Sequence, residues 1–217
     1  MNNSILEFQN ISKFFGENKT EIEALKETNL EIKKNSLNLI LGPSGSGKST
    51  LLNLASLLDN PTNGKILIKG KNTSKMSKSE RSWIRREEIG IIYQRDNLFP
   101  YLNILENVMI PMISKDKEKA LEILKNAELS EINKFPHEIS LADQQRVVLS
   151  RALINNPSLL LADEPTGELN SEESEKLINL IKKVIDKCAV LIATNNYDLE
   201  KHFQNVFLLK SGILTRK

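Results

Sequence analysis

The chain has 217 residues, with 30 lysines and arginines against 28 acidic residues and a net charge of +2. That length suits one well-buried domain, or a core with a small attached lobe, and the near-neutral balance gives no reason to expect nucleic acid as a partner. The longest apolar runs, at 108–113 and 188–193, fall far short of the roughly twenty residues a membrane-spanning helix needs. The opening Met-Asn-Asn-Ser-Ile-Leu-Glu has no basic or apolar leader pattern, and the single Cys188 reads as a small buried hydrophobe in a reducing compartment. A soluble, cytoplasmic molecule is the expectation.

In chain order, residues 5–8 read as a strand and Leu30-Glu31-Ile32 as the end of another, with Asn18-Lys19-Thr20 as the tip of a hairpin between them. Residues 37–41, apolar apart from Asn38, read as a strand buried on both faces. A helix-forming run follows to Leu58, then a turn at 59–64 and a strand at 65–68 that ends at 70–72. Residues 77–88 are polar and helical, and Arg81, Arg85 and Arg86 make a local basic cluster of the kind that ordinarily faces solvent. A buried strand at 89–93 is closed by Gln94. From 96 to 138 the patterning is loosely helical, clearest at 117–127, where Ala120, Leu121, Ile123, Leu124 and Ala127 recur at a helical period. Further on come a helix at 140–154, a strand at 159–162, a helix at 172–185, a strand at 189–193 and a closing hairpin around Ser211-Gly212. Strands alternating with helices predict an α/β fold with a mostly parallel sheet, the strand-rich opening and helical middle being lobes on it.

The stretch 39–52 carries the chemistry. Gly42-x-x-x-x-Gly47-Lys48-Ser49 follows an apolar run and opens a helix, the context in which this pattern is a phosphate loop. Gly42, Gly45 and Gly47 let the backbone turn so that successive N–H groups converge on phosphate oxygens, helped by the helix N-terminus, and Pro43, Ser44, Ser46 and Thr50 complete the expected nucleotide-binding loop. Lys48 brings a charge to the outer phosphates and Ser49 a hydroxyl to Mg²⁺. A second signal is Leu159-Leu-Leu-Ala-Asp163-Glu164-Pro-Thr, a buried strand with carboxylates at its ligand-facing end. Asp163 would hold Mg²⁺, and Glu164 would accept the proton of a water attacking the γ-phosphate.

With the phosphate loop, Gln94, Ser140 followed by Gln144-Gln145-Arg146, and 159–165 in this order, nearly the whole chain resembles an ATP-binding-cassette (ABC) ATPase. Pro43-Ser-Gly-Ser-Gly-Lys-Ser-Thr-Leu-Leu and Ala162-Asp-Glu-Pro-Thr-Gly resemble most the branch that drives lipoprotein release, macrolide export and division-linked complexes. The resemblance implies one domain over 1–217: a P-loop NTPase core with an antiparallel β lobe from 1–93 and 155–217, and a helical subdomain over about 95–154. It implies ATP and Mg²⁺ as cofactors, with Ser49, Gln94 and Asp163 around the metal. It also implies a head-to-tail homodimer or heterodimer in which one subunit's Ser140 meets the other's nucleotide, and a transmembrane permease-type partner that would place the chain at the inner face of the membrane. Phe15 would stack on adenine, with Phe14 as a rival and a core-facing strand residue as the alternative. The apolar 98–102 would receive the partner's coupling helix or else pack inside the helical lobe.

Three positions depart from the family. Where it reads Leu-Ser-Gly-Gly-Gln, this chain has Ile139-Ser140-Leu141-Ala142-Asp143, and Ser140 with Asp143 resembles a helix capping box that would use up donors meant for ATP. Asn195 replaces the switch histidine and cannot become cationic. Asn170 replaces an aspartate of the dimer contact. No site in a homodimer, or in a heterodimer with an intact partner, would then be complete. Hydrogen bonds of this kind are typically worth ~2.7–4 kcal/mol, so the expectation is kept binding and slow hydrolysis. The alternative is a hydrolysis-deficient regulatory or structural subunit.

Overall fold

The computed structural model describes residues 3–16, 22–94 and 98–217; the expected hairpin tip at 18–20 lies outside them. The strands are β1 (Ser4–Phe15), β2 (Ile22–Lys33), β3 (Leu37–Leu41), β4 (Asn63–Ile68), β5 (Lys71–Asn72), β6 (Ile89–Ile92), β7 (Leu159–Asp163), β8 (Ala189–Thr194), β9 (Asn205–Lys210) and β10 (Ile213–Arg216). The helices are α1 (Lys48–Ala55), α2 (Lys78–Glu88), α3 (Ile104–Met109), α4 (Lys117–Asn126), α5 (Leu141–Leu153) and α6 (Ser171–Lys182).

Two sheets result. One is antiparallel in the order β2-β1-β4-β5, and the other runs β10-β9-β3-β8-β7-β6, parallel except for the terminal β9–β10 hairpin. The unbroken apolar runs are explained by two cores, one on each face of the parallel sheet. Ile40, Leu159, Leu161, Leu191 and Ala193 join α1 and the antiparallel sheet in one core. Leu39, Leu41, Leu160, Val190 and Ile192 join α5 and α6 in the other. Successive residues of one strand serve opposite cores, so the strands are almost wholly apolar, and the buried Asn38 of β3 is accommodated by donating to the Ser36 hydroxyl and the Val190 carbonyl at 2.8 Å each. A third core gathers Ile104, Val108, Ala120, Leu124 and Val147 from α3, α4 and α5. Cys188 is buried, and burial pushes its thiol up to about 12.

Several boundaries depart from expectation for identifiable reasons. α1 ends at Ala55 rather than reaching Leu58, because Leu57 adopts φ 58° and the amides of Leu57 and Leu58 turn back to the carbonyls of Leu54 and Asn53. α6 begins at Ser171 because the Asn170 side chain caps it, accepting from the Glu173 amide at 2.9 Å, and it stops at Lys182, before Ile185. α3 is too short to show a period and is set by the reciprocal cap between Asn103 and Glu106.

The register brings the chemistry to one edge. Leu41 lies opposite Thr194, Asp163 opposite Ala193, and Ile92 opposite Ala162. The carboxyl ends of β3, β6, β7 and β8 therefore finish together, the place where open α/β sheets bind ligands.

Candidate functional site

The phosphate loop spans the gap between β3 and α1. Gly47 sits at the start of α1 with φ 106°, and a Cβ there would come within 2.6 Å of the Ala24 carbonyl oxygen. A Cβ at Gly42 would collide with the Leu209 carbonyl oxygen. Both positions are closed to any side chain, so the loop keeps its path against β2 and β9. Pro43, Ser44 and Gly45 are exposed, Ser46 is buried, and Thr50 is half-buried on α1. The Lys48 side chain, only 7% exposed, curls under the loop and donates to the carbonyls of Gly42 at 2.8 Å and Pro43 at 3.1 Å.

Opposite it stand the carboxylates at the end of β7. Glu164 adopts φ 47°, strained for a residue with a side chain, and its amide donates to the Ala193 carbonyl at 2.8 Å. Its Oε1 is 3.5 Å from Lys48 Nζ. Its Oε2 accepts from the Thr194 hydroxyl at 2.6 Å and the Asn195 amide at 3.2 Å. The carboxylate is thus clamped from three directions and aimed along the loop. Burial raises the pKa of Asp163, an effect the adjacent Glu164 charge reinforces and the Ser49 hydroxyl and Lys48 oppose. Asp163 Oδ1 and Ser46 Oγ are both buried without a hydrogen-bond partner. Such orphans are costly, and here they flank a cationic cradle. An oxygen-coordinated divalent cation and a polyphosphate fit that donor set.

The remaining expected residues occupy distinct places. Gln94 is exposed two residues past the end of β6, the strand that pairs with β7 up to Ile92 opposite Ala162. Asn195 is exposed just beyond β8. Phe15 ends β1 and is 44% exposed with the Lys13 ammonium 4.8 Å from its ring centroid, which rules out the core-facing alternative; Phe14 is half-buried. Ser140 caps α5, and both of its hydrogen bonds go to Asp143: the hydroxyl accepts the Asp143 amide at 3.1 Å and donates to the Asp143 carboxylate at 2.8 Å. This is half of the expected capping box, since the acidic side chain takes the serine hydroxyl instead of the serine amide. Arg146 lies 3.6 Å from the other Asp143 oxygen.

Two working residues were not singled out from the sequence. Thr194 is fully buried and fixes Glu164, and its only sequence signal is a hydroxyl at the end of a buried strand. Asn107 is fully buried; its side chain accepts the Phe99 amide and donates to the carbonyls of Phe99, Leu102 and Asn103, so it pins the apolar 98–102 loop. Beside that loop, Arg85, Tyr93, Leu98, Phe99, Ile110 and Arg151 line a groove of about 330 Å³ between the parallel sheet and the helical region.

A sequence model for the family described as ABC transporter matches residues 25–167. An uncharacterized ABC transporter ATP-binding protein of Methanocaldococcus jannaschii is 40% identical, covering 98% of this chain and 96% of its own length. The lipoprotein-releasing system ATP-binding protein LolD of Wigglesworthia glossinidia brevipalpis is 42% identical, covering 100% and 99%. Among solved structures, a dimeric post-hydrolysis ATP-binding cassette bound to ADP and Pi superposes with a TM-score of 0.88 at 38% identity, covering 97% of this chain and 98% of that one.

Proposed function

The chain belongs to the ABC transporter family of ATP-binding subunits, and from that premise we propose that it binds MgATP, hydrolyses it slowly, and drives a separate transmembrane permease-type partner. The observation that carries the slow turnover is Ser140, whose hydroxyl is engaged on both its donor and acceptor sides by Asp143. A serine so occupied, followed by the branched and half-exposed Leu141, is a poor donor to a nucleotide held by a second subunit.

Within one subunit the parts for binding are present. Lys48 exchanges the Gly42 and Pro43 carbonyls for phosphate oxygens, the loop amides converge on the same group, and Phe15 presents its open face to the base. Ser49, Gln94 and Asp163 would hold Mg²⁺, which neutralises phosphate charge. Glu164 takes the proton of the attacking water, with Thr194 and the Asn195 amide keeping its Oε2 in place. Asn195 offers the γ-phosphate a neutral amide. We assign residues 95–154 to a helical subdomain with its own core, and 1–93 with 155–217 to the nucleotide-binding core and its β lobe.

The groove beside the Asn107-pinned loop suits a partner's coupling helix: Phe99 is 51% and Tyr101 is 90% exposed. No helix among the described residues is long and apolar enough to cross a membrane, so such a partner would hold the chain at the membrane's inner face. Similarity to LolD relatives favours lipoprotein-type mechanical work, by a homodimer or a heterodimer. The engaged Ser140 also supports a second reading, a subunit that closes on ATP and does not turn over. Turnover by the parent chain against Glu164→Gln separates the two: the slow-ATPase reading expects the variant to fall by about 10² or more, and equal rates would favour the regulatory reading.

A further inference from the structure

We propose that the surface built by β4, β5 and α2 rests on anionic lipid headgroups of the membrane that holds the partner. The proposal relies on the reading above, in which the groove bordered by Arg85 and Arg86 faces a membrane protein.

Charge on this chain is distributed unevenly. Residues 63–88 carry eight lysines and arginines and three glutamates, a net +5 where the whole chain is +2, so the remaining 191 residues are net −3. Two of the three glutamates are already engaged. Glu88 pairs with Lys69 at 2.5 Å and accepts from Ser158, and Glu80 closes the cap at Ser77. The arginines, by contrast, are held by neutral groups. Arg85 donates to the Leu57 carbonyl, Arg86 to the Pro111 and Met112 carbonyls, and Arg81 to the Asn60 side-chain amide. Each is fixed in place, and among the described residues no carboxylate pairs with it. Lys71, Lys75 and Lys78 are exposed beside them.

On α2, between Lys78 and the arginine pair Arg85 and Arg86, is Trp83, the chain's single tryptophan, 51% exposed on a helix that buries none of its residues fully. One turn further along α2, Arg86 also borders the groove, so the basic face and the groove are continuous. An indole with flexible lysines around it suits the headgroup level of a bilayer, where an apolar body and a polar N–H are both accommodated. A planar anionic surface meets one face of a protein only. At a Debye length of about 8 Å the net-negative remainder is screened from it, whereas a polyanion wrapping the chain would meet that remainder.

Trp83 supplies its own probe. Titrating the intact chain with vesicles containing phosphatidylglycerol should shift its emission to the blue, vesicles of phosphatidylcholine alone should not, and added salt should reverse the shift. Lys75→Ala with Lys78→Ala should weaken the binding about 30-fold, at roughly fivefold per lysine near an anionic surface; Lys183→Ala with Lys187→Ala, on exposed positions after α6, should leave it unchanged. No shift with anionic vesicles, equal binding by the Lys75/Lys78 variant, or binding confined to an acidic peptide would overturn the proposal. Phe99→Asp with Tyr101→Asp separates the two ideas. These changes would disrupt partner docking and leave vesicle binding intact, and loss of vesicle binding there would assign the lipid contact to the groove and sink the basic-face proposal.

Discussion

Around Lys48 the chain leaves buried polar atoms without partners, whereas at Ser140 it turns the available donor and acceptor on one neighbour. Asp163 Oδ1 and Ser46 Oγ are buried and unpaired beside a lysine that is held only by main-chain carbonyls and Glu164. Ser140, Asp143 and Arg146 form a closed local chain of contacts. The first arrangement sacrifices stability of the empty protein for affinity toward a ligand. The second gains a helix cap and gives up an available hydroxyl. The difference teaches that the two regions the proposal joins into one nucleotide site are under different local demands, because each is built by a different stretch of the chain.

Changes at the demanding half should have the largest effects. Lys48→Ala removes the cation under the loop that would meet the outer phosphates; MgATP affinity measured by calorimetry should drop by about 10² or more, in line with the roughly 2–5 kcal/mol lost when one partner of a buried, hydrogen-bonded charge pair is truncated at a binding site. Unaltered heats would break the comparison. Asp163→Asn should show the opposite sign in stability. Burial raises the pKa of Asp163 above the ordinary 3.8, so the folded chain binds that proton more tightly than the unfolded chain does. Its contribution to stability is present in acid and is lost as pH rises from the unfolded pKa through the raised folded value. Asn cannot make that transition, so melts should show the variant gaining on the parent at neutral pH and not in acid, while Mg²⁺-dependent nucleotide binding weakens. A parallel pH dependence for both proteins would contradict the assignment.

The smallest effect is expected at Asn170. It replaces a family aspartate, yet it caps α6 through the Glu173 amide. Asn170→Ala should lower stability by about 1 kcal/mol in chemical denaturation, and Asn170→Asp should be close to neutral. A large loss from the aspartate variant would mean that the amide does more than cap.

How much of this was legible in the sequence follows from what each element depends on. β3 and β7 could be read because a strand covered on both faces is predominantly apolar, and the phosphate loop because its glycines and lysine are local requirements. α2 was legible as the polar, helical stretch 77–88, and the structure adds the reciprocal cap between Ser77 and Glu80 that sets its start. The end of α1 was not, since Leu57 takes a left-handed conformation that its residue type disfavours. Nor was α3, whose six residues hold no period. Thr194 was missed for a different reason. Its partner Glu164 is thirty residues away, and the contact exists only because β7 and β8 pair in one register. The Ser140–Asp143 pair was half legible: the spacing announced a cap, but the serine hydroxyl, not its amide, takes the carboxylate.

Steady-state ATP turnover by the parent and by a variant carrying Leu141→Gly, Ala142→Gly, Asp143→Gln and Asn195→His tests the blunted half most directly. Freed from Asp143, Ser140 can donate across the dimer, and the histidine restores a contact to the γ-phosphate. The variant should turn over about tenfold faster or more, since a single such donor is typically worth ~10²–10³ in rate, with MgATP affinity unchanged at the phosphate loop. Equal turnover by the two proteins, both folded and both binding MgATP, would contradict the account.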